Sequence, residues 1–333
     1  MQTGKPEAER PGMIGRAVGW LESIGRNARI VLPAGVVLAL LLPSSGNLLK
    51  PLVPWIIAIL YATSMIRLDL KAALLGAVKP SRLMVNLCLS LILLVVVPVA
   101  AFAVASLAGL DEAILPVLTW YAVAPPIAST IWMCALLGLD LVLAMELVVL
   151  TSLLAPFTGP LLGSWLLGTA VPIDSVELCL RVTAMIITGA GLSILAKRWL
   201  GEDWIRRHPA RLDGIAALAM MAFLLPVFDG TGVMVLQDPM LAAVLLGLAV
   251  LLNTGSQLVL VTLAWLRLVP RRAGHSLAVV SGNRNVGLYF AALPADPVMG
   301  LFTAMYQFPL YLTPLLMGVV RRLQPTSPDS SAT

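Results

Sequence analysis

The sequence predicts an all-α polytopic membrane protein that crosses the bilayer about ten times. Composition is the first observation, because 59% of the 333 residues are hydrophobic, only 12% are charged, and the mean hydropathy is +0.95. Soluble domains carry roughly 25% charged residues, about twice that fraction. The second observation is spacing: apolar stretches near the roughly 20 residues that cross a bilayer follow one another with short polar segments between them. No segment between them is long enough to form a soluble domain.

Ten apolar stretches occur along the chain, and we predict a transmembrane helix for each. They lie at residues 30–48, 51–66, 83–107, 113–137, 139–166, 176–196, 212–228, 239–266, 274–294 and 298–319. Residues 1–29 form a cytoplasmic segment in which apolar residues recur at helical spacing from Met13 to Ala28. That pattern indicates either an amphipathic helix in the membrane surface or an extension of the first span. Residues 321–333 are polar and contain prolines, which predicts a disordered cytoplasmic tail.

The basic residues are distributed unevenly over the segments between the spans. If the N-terminus is cytoplasmic, 19 of the 22 Lys and Arg residues fall on the inner side. Orientation follows this bias, so we predict a multi-pass protein of the cell (inner) membrane with both termini inside. The net charge of +5 therefore indicates topology and not nucleic-acid binding.

Two halves of five spans each are expected, residues 30–168 and 172–320 within a transporter domain of residues 30–320. Because five is odd, the second half enters the membrane from the opposite side, which makes the halves an inverted repeat. The connection at 67–82 is basic, whereas the corresponding one at 229–238 is acidic. This contrast supports the division, while no sequence identity between the halves is obvious.

Spans 4 and 9, which correspond in the two halves, both contain a helix-breaking run near mid-membrane. Broken helices at corresponding positions indicate the binding site of a transporter, although a proline kink alone is common in membrane helices. A double proline removes backbone donors and opens the helix, and the hydroxyls beyond it could cap the second half-helix or bind a ligand. The candidate substrate-binding residues are Pro125, Pro126, Ser129 and Thr130 in span 4, and Ser281, Gly282, Asn283, Arg284 and Asn285 in span 9.

Two charged residues inside spans are the strongest functional candidates. Arg284 would place a permanent positive charge near mid-bilayer, where charges face a partner or an aqueous cavity; the alternatives are a structural ion pair or a cap on backbone carbonyls. Glu146 in span 5 could pair with Arg284, exchange a proton, or lie at a subunit or lipid interface. Weaker cavity candidates are Asn86, Asn253, Thr254 and Gln257, although such residues often only join helices.

The motifs together resemble the bile acid:sodium symporter family over residues 28–320, as a divergent bacterial-type member. The resemblance rests on LYATSMIRLDL at 60–70, PPIAST at 125–130, a stretch from 136 to 162 that ends in LLAPFTGPLL, and SGNRNVGL at 281–288. It implies ten helices in two units. Spans 1, 2, 6 and 7 would form a panel and the others a core, in which spans 4 and 9 cross at their breaks.

The chain departs from the family at the positions that bind sodium. The resemblance aligns Val280 and Arg284 with a carboxylate and a glutamine of the family's second break, and Thr130-Ile131 with the Ser-Asn of its first break. By the same resemblance, the hydroxyls of the family's helix 5 fall on Ala144 and Val148, and the glutamine of its helix 3 falls on Leu93. Sodium prefers several oxygen ligands, so these changes argue against sodium coupling.

The function expected is secondary-active transport of a small organic anion by alternating access, with a proton or no ion in place of sodium. Arg284 would bind the carboxylate of the substrate or replace the coupling cation. Alternatives are a sodium-coupled organic anion symporter and an arsenite- or auxin-carrier-like exporter, although the cysteine of arsenite exporters is missing at Pro125-Pro126. We expect no enzyme activity, cofactor, metal site or nucleic-acid partner; the expected partners are the anionic substrate and the lipid bilayer.

Overall fold

A computed structural model describes residues 13–41, 50–168 and 174–322, and these ranges contain helices and no β-strand. The helices are α1 (Met13–Arg26), α2 (Ala28–Leu41), α3 (Val53–Met65), α4 (Leu70–Ala77), α5 (Pro80–Leu107), α6 (Leu115–Val123), α7 (Ser129–Leu136), α8 (Leu141–Leu167), α9 (Ser175–Leu200), α10 (Glu202–Arg207), α11 (Pro209–Val227), α12 (Thr231–Gln237), α13 (Pro239–Trp265), α14 (Arg271–Gly282), α15 (Val286–Ala292) and α16 (Pro297–Arg322). The end of the first predicted span (42–48) and the tail from 323 lie outside the described residues. Because α16 runs to Arg322, the predicted start of the tail at 321 is wrong by two residues.

Among the described residues, five helices are long and apolar enough to cross a membrane: α5, α8, α9, α11 and α13. The number rises to six if α3 and α4, which are bent by 82° at a short break, count as one broken span. The all-helical prediction and the membrane prediction are confirmed at this level.

The long helices α5 and α13 direct apolar side chains outward and polar ones inward. Met84 and Val85 of α5 are 71% and 57% exposed, whereas the neighbouring Asn86 is buried. In α13, Leu251 and Val259 are exposed while the side chain of Gln257 is buried. Water would favour the reverse pattern, so these surfaces fit a lipid environment.

Exposed tryptophans lie close to the ends of four helices. They are Trp55 near the start of α3, Trp165 and Trp199 near the ends of α8 and α9, and Trp265 at the end of α13. Tryptophan is enriched where a membrane meets water, because its ring is apolar and its N–H is polar. Their positions agree with helices that end at the two faces of a bilayer.

Both α5 and α13 contain a five-residue π-helical segment at the same position. The segments are Ile92–Val96 and Leu251–Gly255, and each begins 12 residues after the first residue of its helix (92 − 80 and 251 − 239). A π segment changes the backbone pairing locally and often lies at a functional site. In this protein both segments lie beside the interrupted helices, with Leu93 and Asn253 contacting residues of the second interruption.

Helix α1 is separate from α2 and packs along the beginning of α11. A turn at Asn27 divides the two helices, so α1 is not a continuous part of the first span. Arg211 Nε of α11 donates to Glu22 Oε1 of α1 at 2.7 Å. This hydrogen bond lowers the pKa of the half-buried Glu22 carboxyl below its usual value. The location of α1 in the membrane surface stays a prediction.

Candidate functional site

The two interrupted helices meet at their breaks. One interruption separates α6 from α7 and the other separates α14 from α15, at the positions predicted from the sequence. An isolated antiparallel bridge joins Pro126 to Arg284. The N–H of Asn285 donates to the carbonyl of Pro125 at 2.7 Å, and the N–H of Ile127 donates to the carbonyl of Asn283 at 2.9 Å. Each opened backbone therefore provides hydrogen-bond partners for the other, as buried backbone requires.

Proline and glycine at these positions explain why the crossing forms. Pro125 and Pro126 lack N–H donors, and Ala124 before them has extended backbone (ψ 139), so α6 ends at Val123. In the other break, Gly282 lies directly against α13. A Cβ at this position would lie 2.5 Å from the carbonyl oxygen of Asn253, which leaves room for glycine alone.

Arg284 is the charged residue at the crossing, and its side chain is 2% exposed. Its Nε donates to the carbonyl of Ser281 at 2.8 Å, and its Nη1 donates to the carbonyls of Ala124 at 3.0 Å and Leu93 at 3.2 Å. Leu93 belongs to the π segment of α5. The guanidinium thus links α5, the first interruption and the second interruption through backbone oxygens.

The guanidinium at the crossing has no carboxylate partner within the described ranges. None of the ion pairs found there includes Arg284, and none of the hydrogen bonds of its side chain uses Nη2. Carbonyl dipoles stabilise the cation but leave its formal charge uncompensated. The arrangement can therefore bind an anion through a nitrogen that carries two free N–H groups.

The carbonyl oxygen of Gly282, at the end of α14, accepts three hydrogen bonds from side chains of other helices. It accepts from Asn253 Nδ2 at 2.6 Å, from the Tyr121 hydroxyl at 2.9 Å and from the Tyr306 hydroxyl at 3.1 Å. The Tyr306 hydroxyl also accepts from the backbone N–H of Arg284 at 2.7 Å. These bonds fix the end of α14 and the backbone of Arg284 to α6, α13 and α16.

Asn283 is held by an amide network between α13 and α16. Its Oδ1 accepts from Thr313 Oγ1 at 2.9 Å and from Asn253 Nδ2 at 3.1 Å, while its Nδ2 donates to the carbonyl of Val279 at 2.8 Å. Gln257 Nε2 in turn donates to Asn253 Oδ1 at 2.9 Å. All of these side chains are buried, so their polar groups rigidify the crossing.

Asn285 connects the crossing to a different part of the bundle. Its Nδ2 donates to the hydroxyl of Tyr61 on α3 at 2.9 Å. Helix α3 packs mainly against α9 and α11, which lie apart from α5 and α13. This hydrogen bond is therefore a polar contact between two groups of helices.

The hydroxyl residues predicted beside the breaks contribute less than expected. No side chain caps the start of α7, so the capping role predicted for Ser129 and Thr130 is wrong. The Thr130 hydroxyl donates to the carbonyl of Ile127 within its own turn, and the Ser281 hydroxyl donates in the same way to Ala278. Thr254 is half-buried and has no part in the hydrogen bonds described above.

Glu146 lies in a second cluster and not beside Arg284. Its Oε1 accepts from Arg82 Nη1 at 2.8 Å, and its Oε2 accepts from Asn86 Nδ2 at 3.0 Å. The pairing with Arg284, one of three roles considered for Glu146, is therefore not the one found, and Asn86 is a partner of Glu146 instead of a residue at the crossing. The reason is that the Glu146 side chain, in the second turn of α8, faces Arg82 and Asn86 of α5.

Sequence reasoning missed Tyr61, Tyr121, Tyr306 and Thr313, which contact the crossing. A signal was available for the tyrosines, because each lies inside an apolar stretch and away from the helix ends where tyrosine faces the membrane surface. A buried tyrosine hydroxyl usually has a hydrogen-bond partner. The sequence could not identify that partner, since it lies far away along the chain.

The positions that the resemblance would align with sodium ligands offer few side-chain oxygens. Val280, Ala144 and Val148 are buried and carry no side-chain oxygen, and the Leu93 and Ala124 carbonyls accept from Arg284. Oxygen ligands that hard cations need are thus missing or already bound to a cationic side chain.

No protein-family model matches the chain, and a search of curated proteins finds no significant match.

Proposed function

We propose that the protein is a secondary-active transporter of a small organic anion that works by alternating access. The observation that carries this proposal is the buried Arg284 guanidinium, which is held by carbonyls at the crossing of two broken helices. Ionisable residues at such depth mark substrate or ion pathways. The proposed substrate carries a carboxylate or a similar anionic group that binds Arg284.

The proposed architecture has ten spans in two inverted repeats of five. The proposed location is the cell (inner) membrane, with both termini in the cytoplasm. Several pairs of elements support it. Helices α5 and α13 share the position of the π segment, and α8 and α16, with 27 and 26 residues, each contain two internal prolines. The two interruptions occupy corresponding places between these helices.

Anion binding follows from electrostatics at the crossing. The low dielectric of the bilayer interior strengthens the attraction between a fixed guanidinium and an anion. Hydrogen bonds that involve a charged group contribute roughly 1.5–3 kcal/mol. Arg284 Nη2 is the donor available for such a bond, while Asn283 and Asn285 place further amide groups nearby.

Alternating access needs two groups of helices that can move against each other. The packing of α3 with α9 and α11, and of α2 with α11, supports a panel like the one that the family resemblance implies. The Tyr61–Asn285 hydrogen bond is a contact between this panel and the crossing that can break and reform. We propose that this motion exposes Arg284 to one side of the membrane and then to the other.

A ligand screen tests the proposal. Detergent-purified protein is heated with acetate, pyruvate, succinate, benzoate or taurocholate, each as its sodium and its choline salt. We expect at least one anion to raise the unfolding temperature equally with both cations, and Arg284→Gln to abolish that rise. The matched control is Arg198→Gln, which removes an exposed arginine of α9.

Transport of the anion that binds is then measured in proteoliposomes. Arg284→Gln should lose uptake and Arg198→Gln should retain it. Equal anion binding by Arg284→Gln would show that the arginine is structural and would refute the proposed site. Uptake that increased strongly with a sodium gradient would refute sodium-independent transport.

A further inference from the structure

One face of α5 is polar and buried along the first half of the helix. Between Pro80 and Leu91 the fully buried residues are Asn86 and Ser90, which are 1% and 0% exposed. They are four residues apart and so lie on one face, and Leu93 continues that face one turn later. The carbonyl of Leu93 accepts from Arg284 Nη1. The face therefore leads along α5 to the guanidinium at the crossing.

The other end of this face is the cavity that contains Glu146. The cavity has a volume of about 170 Å³, and it is lined by Arg82, Asn86, Asp140 and Glu146 among others. The Glu146 side chain is 3% exposed, whereas that of its partner Arg82 is 50% exposed. Because Arg82 is half exposed, the carboxylate is buried but lies one side chain away from the surface. Protons can reach it without passing through the bundle.

Ser90 lies between the two ends and has an unused hydroxyl. It is completely buried, and its Oγ has no hydrogen-bond partner among the residues that the structure describes. Unpaired buried hydroxyls cost free energy unless water or a ligand satisfies them. At 1.5 Å per residue, Ser90 is about 6 Å along the axis from Asn86 and about 4.5 Å from Leu93.

We infer that Glu146 is the proton-binding residue of the transporter, and that the Asn86–Ser90 face of α5 couples it to Arg284; this inference rests on the proposed function. A proton from water in the cavity adds to the Glu146 carboxylate and forms a neutral carboxyl. The ion pair with Arg82 is then lost, and Asn86 no longer donates to an anion. Release of the proton to water restores both contacts. No electrons are transferred, and one proton accompanies one anionic charge.

The coupling has a structural basis in α5 itself. Asn86 binds Glu146 and the carbonyl of Leu93 binds Arg284, so both charged residues contact the same helix. The π segment at Ile92–Val96 lies at the Arg284 end, where the backbone pairing is weaker than in an α-helix. A shift of Asn86 after protonation can thus change the carbonyl position that holds the guanidinium.

Other charged groups near the cavity set the conditions for protonation. Arg82 brings a positive charge to the carboxylate, whereas Asp140, which lines the same cavity, brings a negative charge. From α4 the backbone of Gly76 lies against the carboxylate and brings no charge. Helix α14 brings His275, next to the serine whose hydroxyl bonds the Asp140 N–H, and α7 brings Cys134 near Asp140. Arg82 is the cation that contacts the carboxylate directly.

Infrared difference spectroscopy can detect the proton directly. Wild-type protein in phosphatidylcholine–phosphatidylglycerol liposomes is titrated from about pH 9 to about pH 4, a range that covers ordinary and shifted carboxyl groups. We expect a carboxyl C=O band that is absent in Glu146→Gln and present in the control Glu112→Gln, which changes an exposed loop carboxylate. A spectrum in which Glu146→Gln removes no band would overturn the inference.

The coupling is tested by repeating the anion panel at several pH values. For one linked proton the affinity of a bound anion changes by up to about tenfold per pH unit. We expect this dependence in the wild type, its loss in Glu146→Gln and a reduced dependence in Ser90→Ala, while Ser106→Ala at the far end of α5 keeps it. Unchanged pH dependence in Glu146→Gln would refute coupling. If no anion binds at all, the proposed function fails, and the infrared titration still decides whether Glu146 exchanges a proton.

Discussion

Gly282 lies where the end of α14 touches the π segment of α13, and its replacement by alanine tests the close approach of the two helices. A Cβ there would lie 2.5 Å from the Asn253 carbonyl oxygen and 2.6 Å from Gln257 Cγ. Carbon atoms in protein interiors do not approach non-bonded atoms this closely. Because the nearest atom belongs to the backbone, no rotation of a side chain can relieve the contact. The helices must move apart.

The size of the effect can be worked out from the contacts that would change. Overpacking of a buried site costs roughly 1–3 kcal/mol. Movement of α14 would also weaken at least one of the bonds to the Gly282 carbonyl, from Asn253, Tyr121 or Tyr306, at about 1 kcal/mol each. Gly282→Ala should therefore destabilise the protein by about 2–4 kcal/mol, measured as a fall in the unfolding temperature in detergent.

Gly247→Ala is the matched control for this substitution. Gly247 lies in α13, where nothing is within 4 Å of an added Cβ. Alanine favours a helix by roughly 0.5–1 kcal/mol over glycine, so the control should be neutral or slightly stabilising. Equal unfolding temperatures for Gly282→Ala and the wild type would refute the close approach. An equal loss in both variants would show a general effect of glycine replacement.

Two further substitutions test separate parts of the structure. Tyr306→Phe removes the hydroxyl that joins the carbonyl of Gly282 to the N–H of Arg284, so it should lower stability by about 1–3 kcal/mol. Tyr311→Phe on the same helix removes a hydroxyl without a described partner and should have no such effect. If both lowered the unfolding temperature equally, the bridge would be unimportant. Since the Arg211 hydrogen bond lowers the pKa of Glu22, the docking of α1 should be strongest above the ordinary carboxyl pKa and weaken as pH falls through the lowered value. In the wild type, limited proteolysis should therefore cleave α1 faster at acidic pH. In Arg211→Gln, the rate of cleavage should not depend on pH. The same pH profile in both proteins would contradict the role of this bond.

The breaks could be predicted from the sequence because their causes are local. Pro125 and Pro126 prevent backbone pairing wherever the chain places them. Gly282 and the polar residues around Arg284 interrupt an apolar pattern that is otherwise continuous. Local chemistry of this kind needs no knowledge of the packing.

The partners of the charged residues could not be predicted, because they depend on how the helices rotate against each other. The sequence places Glu146 and Arg284 at similar depths in their predicted spans, so it leaves a contact between them open. In the structure, the side chain of Glu146 faces Arg82 and Asn86 on α5. The π segment that presents the Leu93 carbonyl is also invisible in the pattern of apolar residues. Both features follow from tertiary packing, which overrides local preference.

The carbonyls around Arg284 explain how the fold can hold a buried cation before any anion arrives. Transfer of an ion into a protein interior costs several kcal/mol even after relaxation. Three hydrogen bonds from the guanidinium, at roughly 1.5–3 kcal/mol each for a charged donor, offset a cost of this size. The same bonds satisfy the Leu93 and Ala124 carbonyls, which the π segment and the prolines leave without regular partners. The breaks therefore stabilise the charge, and the charge stabilises the breaks. Because the offset is made without a carboxylate, the positive charge stays available to the anion that we propose as the substrate.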